Sequence, residues 1–176
     1  MKKLLTITFV LSAILIHAQN FKGLDKSPMD RVFYPVPNRV TEKAIVITYS
    51  RPQLRGRNIE DVVPTYKIWR TGANEATELR LYKSIKLGSK IIKAGTYTMY
   101  SYPKDNSLEV IVNSATNVWG AYNYDKSKDV ARIEVPVTES TEYLEAFSFA
   151  FSGQGDNAVL NGGWGNARIE IPITIL

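Results

Sequence analysis

Arg51, Arg55, Arg57 and Arg70 occupy a polar stretch that also carries Asn74, Glu75 and Glu78, the densest concentration of ligand-recognising groups in the chain. Guanidinium forks hold carboxylates, phosphates or vicinal hydroxyls in a fixed geometry, so these residues are candidates for one binding pocket. Glu75 and Glu78 are also the residue type of a general acid and base pair, which glycoside hydrolysis needs with carboxyls about 5–9.5 Å apart. The same side chains can instead pair with one another. An Arg70–Glu75 tie would fasten an irregular loop in which Gly56 and Gly72 supply positive φ.

A second constellation is aromatic. Trp69, Trp119, Trp164, Tyr97, Tyr100, Tyr102, Tyr122 and Tyr124 offer flat apolar faces with polar tips, suited to stacking on sugar rings. Large aromatics are equally the ordinary filling between two sheets, and packing is the expected role for most of them. The turn Trp119-Gly120-Ala121-Tyr122 is the expected exception, because its two small residues leave room beside two rings. Trp69, Trp119 and Tyr122 therefore join the candidate ligand-binding residues.

What the chain lacks narrows the chemistry further. His17 is its one histidine and it has no cysteine. His17 falls in what reads as an export signal: Lys2 and Lys3, an apolar run from Leu4 to Ile16, then Ala18 before Gln19. That run is shorter than the roughly 20 apolar residues of a membrane span, so residues 1–18 are expected to be cleaved. The product is expected to be periplasmic or secreted, with no transmembrane anchor. A mature chain without His or Cys cannot build a Ser-His-Asp or Cys-His nucleophile, a zinc site or a disulfide. No metal and no cofactor are expected. Asp125, Asp129, Asp156 and Asn157 are oxygen donors, but none sits in a calcium-loop pattern. Gly153-Gln154-Gly155 and Gly162-Gly163 read as turns.

The net charge of +5 includes Lys2 and Lys3, and the remaining basic residues are interspersed with acidic ones. Such a distribution lacks the continuous basic face of a nucleic-acid binder.

The elements that position these residues repeat with period two. Ala44–Tyr49 is a β-branched run, and Thr77–Lys83 alternates polar with apolar as a half-buried strand does. Ile85–Leu87 and Ile91-Ile92 flank Gly88-Ser89 as a hairpin. Further strands are predicted at Thr96–Tyr102, Leu108–Val112, Val130–Val137, Tyr143–Phe151, Ala158–Leu160 and Ala167–Leu176. The pattern predicts an all-β, single-domain antiparallel β-sandwich, with a jelly-roll-like barrel as the alternative. Residues 19–41, which hold Pro28, Pro35 and Pro37, are expected to form an extended arm, and residues 42–176 the sandwich. The one helical candidate is a turn or two at Asp125–Val130, with Asp125 as cap.

Four segments carry a resemblance: Ser50-Arg51-Pro52 through Gly56-Arg57, Ile68–Thr77, Ala94-Gly95-Thr96-Tyr97 and Asn117–Tyr122. Together they resemble a family of secreted bacterial proteins classed as domain of unknown function twenty-nine-eleven, from about Thr48 to the C-terminus. The resemblance implies an exported all-β domain and brings no catalytic residues or substrate. The chain departs from the family pattern after Arg57, with Asn58-Ile59-Glu60-Asp61 in place of an apolar-aromatic-glycine step. It departs again after Trp164, where Gly165 replaces a glutamate.

These observations lean away from an enzyme and towards non-catalytic binding of a glycan or small anionic ligand. The alternatives are a carboxylate-dependent hydrolase of an envelope or environmental polysaccharide, with Glu75 as the first suspect, and a structural or interaction module of the cell envelope.

Overall fold

Alternation of apolar and polar residues sets the faces of two antiparallel sheets. A computed structural model describes residues 21–37 and 39–176, and the export-signal segment, residues 1–18, lies outside the described residues. Ten strands follow in order: β1 Met29–Tyr34, β2 Ile45–Ser50, β3 Thr77–Leu81, β4 Ile85–Leu87, β5 Lys90–Ile92, β6 Gly95–Pro103, β7 Ser107–Asn113, β8 Asp129–Pro136, β9 Thr138–Gln154 and β10 Asn157–Ile175. One sheet has the order β1-β2-β3-β6-β7-β8 and the other β5-β4-β10-β9. In β3, Thr77, Leu79 and Leu81 are buried while Arg80 is exposed, the mark of a strand with one face on a core. Ile45, Ile47, Leu79, Leu81, Met99 and Val110 of the first sheet share that core with Ile85, Leu87, Phe149, Leu160, Ile171 and Ile173 of the second. Each such side chain contributes roughly 1.5–3 kcal/mol by leaving water. The sheets pack as a sandwich and do not close into a barrel.

At one corner the sheets are stitched together. Leu54 N–H donates to Glu145 O at 3.0 Å and Phe147 N–H to Pro52 O at 2.9 Å. Arg51 reinforces the corner, with Nε on Phe147 O, Nη1 on Asp30 and Nη2 on Ser148 Oγ. The N-terminal arm supplies β1, which pairs with β2 from Met29↔Ser50 to Tyr34↔Ile45. The helical candidate reduces to one 3-10 turn, Lys126–Lys128, where the Asp125 side chain accepts from Ser127 N–H at 2.9 Å.

The expected turn at Gly162-Gly163 is not there. Both glycines lie inside β10, opposite Phe149 and Ser148. A Cβ on Gly162 would meet Ile169 at 2.8 Å, and one on Gly163 would meet Leu144 at 2.8 Å, so these positions are bare because other side chains fill their space. Just beyond them the β9–β10 register shifts twice, between Gly163, Gly165 and Ala167. Bulges of this kind bend a strand and re-aim its side chains.

The outer face of β6 and β7 is also covered. Tyr100, Ile111 and Asn113 are buried there, outside the inter-sheet core, beneath the β7–β8 connection. Asn113 Nδ2 holds that connection through Asp125 O at 2.9 Å and Asp129 Oδ1 at 2.7 Å, and the Tyr124 ring packs edge-on to Tyr100 at 5.2 Å. No helix among the described residues is long and apolar enough to cross a membrane.

Candidate functional site

Between the β2–β3 connection, the β6–β7 turn and the bulged stretches of β9 and β10 lies a cleft of about 780 Å³. This is within the size range of small-ligand sites. Trp69, Phe147 and Trp164 form its inner wall. The two indoles are stacked, centroids 6.1 Å apart and planes 7° from parallel, and Phe147 stands edge-on to both. Trp164 Nε1 donates to Glu145 O at 3.1 Å, which satisfies its polar tip. Tyr143, 52% exposed, adds a third kind of ring at the rim.

The cleft's cations are already engaged. Arg57 Nε donates to Leu54 O at 2.9 Å and Nη2 to Gln53 O at 2.7 Å. Arg168 reaches Gly165 O, Ala167 O and Glu142 O. Lys104 pairs with Glu134, which holds that carboxyl below the usual carboxylate range, with help from Ser107. The three lining carboxylates, Glu60, Asp105 and Glu139, make no ion pair among the described residues, and Asp105 accepts from the Tyr66 hydroxyl at 2.6 Å. The cleft thus presents the Tyr143 ring over a buried indole floor, with amides and free acceptors, and no unengaged cation to favour an anion.

The residues singled out from sequence do not converge in one pocket. Arg57 and Trp69 line the cleft. Arg51 is the corner tie described above. Arg55, at φ 52°, faces solvent beside Gln53, and its N–H donates to Glu145 Oε1 at 2.6 Å. Glu78 lies in a shallow polar depression on the outer face of the six-stranded sheet, with Arg80, Tyr82, Thr96, Thr116 and Asn117.

The other five, Arg70, Asn74, Glu75, Trp119 and Tyr122, belong to two loops that meet. Glu75 forms a β-bridge with Trp119, Gly120 N–H donates to Asn74 O at 3.1 Å, and Ala76 N–H donates to Val118 O at 2.9 Å. No Arg70–Glu75 ion pair forms among the described residues. Threonines and main chain tie this loop instead. Thr77 N–H donates to Arg70 O, Thr77 Oγ1 to Thr71 O at 2.6 Å, and Thr71 Oγ1 bonds Ser101 Oγ at 2.7 Å. Gly56 and Gly72 do take positive φ, and a Cβ on Gly72 would lie 2.9 Å from Ser50 O. Trp69 and Trp164 are packed inside, while Trp119 is 60% and Tyr122 81% exposed.

Residue type alone did not single out Glu60, Glu139, Tyr143 and Arg168, because only the bulges of β9 and β10 bring the last three to the β2–β3 connection that carries Glu60. A second network also emerges from the fold. Arg132 bonds Asp129, Glu109 and the Tyr124 hydroxyl, and Tyr124 donates to Asp129 at 2.6 Å. Burial, then the Asp129 hydrogen bond, push the Tyr124 phenol up to about 12. This network anchors the β7–β8 connection. Among the described residues no three His, Cys, Asp or Glu side chains are grouped to hold a metal ion.

No curated protein and no solved structure matches the chain. The sequence model of a family described as "Protein of unknown function (DUF2911)" matches residues 27–173, which span both sheets and the cleft between them. The chain belongs to the DUF2911 family.

Proposed function

We propose that the protein is an exported, non-catalytic saccharide-binding protein that takes an uncharged glycan segment in the inter-sheet cleft. One observation carries the reading: a cleft of about 780 Å³ with the exposed Tyr143 ring at its rim, whose cations are held by the protein's own oxygens. Aromatic faces match the apolar faces of sugar rings, and amides with free carboxylates match hydroxyls. An anion would have to displace existing bonds of Arg57 or Arg168, which makes a neutral polyhydroxyl ligand the better fit. Export rests on the charge, apolar run and small residue of Lys2 to Gln19.

A hydrolytic reading moves from Glu75, which is exposed outside the cleft, to Glu60 and Glu139 within it. Calorimetric titration with neutral oligosaccharides, followed by analysis for new reducing ends, separates the readings. Saturable binding without cleavage supports the proposal. Cleavage abolished by Glu60→Gln or Glu139→Gln supports the hydrolase, and absence of both leaves a structural module.

A further inference from the structure

Trp69 and Arg70 are sequence neighbours that serve opposite faces of one sheet. Trp69 bridges Ser101 and packs in the core. Alternation sends Arg70 to the outer face, the one that holds Tyr100 and is covered by the β7–β8 connection. There the Arg70 Nε is shut away from solvent with no hydrogen-bond partner. The other half-buried arginines have oxygen partners: Arg51 on Asp30, Ser148 and Phe147 O, Arg132 on Asp129, Glu109 and Tyr124, Arg168 through its Nη groups on three carbonyls. A buried N–H without an acceptor is costly, and no ion pair joins Arg70 to its neighbour Glu75 among the described residues.

The backbone around Arg70 is held in a sparsely populated conformation. Thr71 has φ 56°, Asn74 58°, Asn117 55° and Gly120 65°. A left-handed β-branched residue is a genuine outlier, and buried Thr71 is fixed there by its bonds to Ser101 and Thr77. Strain of this kind persists where surroundings over-determine it, and it gathers at ligand clamps. It lies on the two loops joined by the Glu75–Trp119 bridge, which also expose Trp119 and Tyr122.

We propose that Arg70 anchors a second site, which takes an oxyanion, a carboxylate or phosphate group of an organic ligand, between the Arg70–Glu75 loop and the Trp119–Tyr122 turn. The oxyanion supplies the acceptor that the guanidinium lacks, and the exposed rings accept the apolar part of the molecule. The site does not depend on the cleft, since it uses the other face of the sheet.

The test follows backbone amide resonances of the exported chain during titration with inorganic phosphate, acetate and glucuronate. The expected result is saturable shifts at Thr71 to Glu75 and Val118 to Ala121. Arg70→Lys should weaken them by about tenfold or more and Arg70→Gln should abolish them, since a lysine lacks the planar fork. Response to acetate and glucuronate alone identifies a carboxylate ligand, and response to phosphate alone a phosphate. Arg70→Gln should melt at or above the parent temperature, because no protein partner is stranded. If Arg70→Gln fails to fold, the parent and Arg70→Lys titrations decide the matter. No saturable shift in the parent with any probe, or shifts unchanged in Arg70→Lys, overturns the proposal.

Discussion

Trp69 and Trp164 lie stacked 6.1 Å apart, one delivered by the β2–β3 connection and the other by the middle of β10. The pair locks together the two sheets and forms the buried inner wall on which the cleft rests. Trp164→Ala should cost about 3–5 kcal/mol, the range for truncating a large buried aromatic, because neighbours on bulged strands cannot collapse into the space. Chemical denaturation with an unchanged m-value checks it.

The corner made by Arg51 should be asymmetric in its response. Asp30→Ala removes one partly exposed ion pair at 2.9 Å and should cost under about 1 kcal/mol. Arg51→Ala also strips Phe147 O and Ser148 Oγ of their donors and should cost about 1–3 kcal/mol. Equal costs for the two variants would show that the ion pair, not the stitching of β9, matters.

The two loops on the outer face should divide into frame and contact surface. Gly72→Ala forces a Cβ to 2.9 Å from Ser50 O at a positive φ and should cost about 1–3 kcal/mol. Trp119→Ala and Tyr122→Ala, both at exposed positions, should each stay within about 1 kcal/mol of the parent. Thermal unfolding of the three variants gives the comparison.

Alkali should destabilise the fold through tyrosines. Burial first, then Asp129, hold Tyr124 near 12 against an ordinary 10.0, and burial also raises Tyr49 and Tyr100. The unfolded chain therefore loses these phenolic protons first. The contribution of Tyr124 is whole below pH 10, declines between 10 and about 12, and is gone above. Melting temperature measured across this window should fall, and Tyr124→Phe should fall less steeply.

Local pattern revealed the sandwich because period-two runs such as Thr77–Leu81 carry their own face assignment. The continuity of β10 escaped it. Nothing local distinguishes Gly162-Gly163 from a turn when the residues occupying their space are Ile169, Phe149, Leu144 and Arg168. Exposure of the Trp119–Tyr122 turn was legible from its small residues, whereas the expected Arg70–Glu75 tie does not form, since hydroxyls of Thr71 and Thr77 secure that loop instead. The cleft was hidden for a related reason: its wall and rim come from segments far apart in sequence that meet only after β9 and β10 bulge.

Entry of an uncharged saccharide into the cleft is read by calorimetric titration of the parent, Tyr143→Ala and Glu139→Gln with a panel of neutral oligosaccharides. Both residues line the cleft and are exposed, so neither change should alter the melting temperature by more than a few degrees. The expected result is saturable binding by the parent, weakened about tenfold or more by each substitution, a loss of roughly 1.4 kcal/mol. Parent-level affinity in both variants, or no heat of binding from any oligosaccharide, would contradict it.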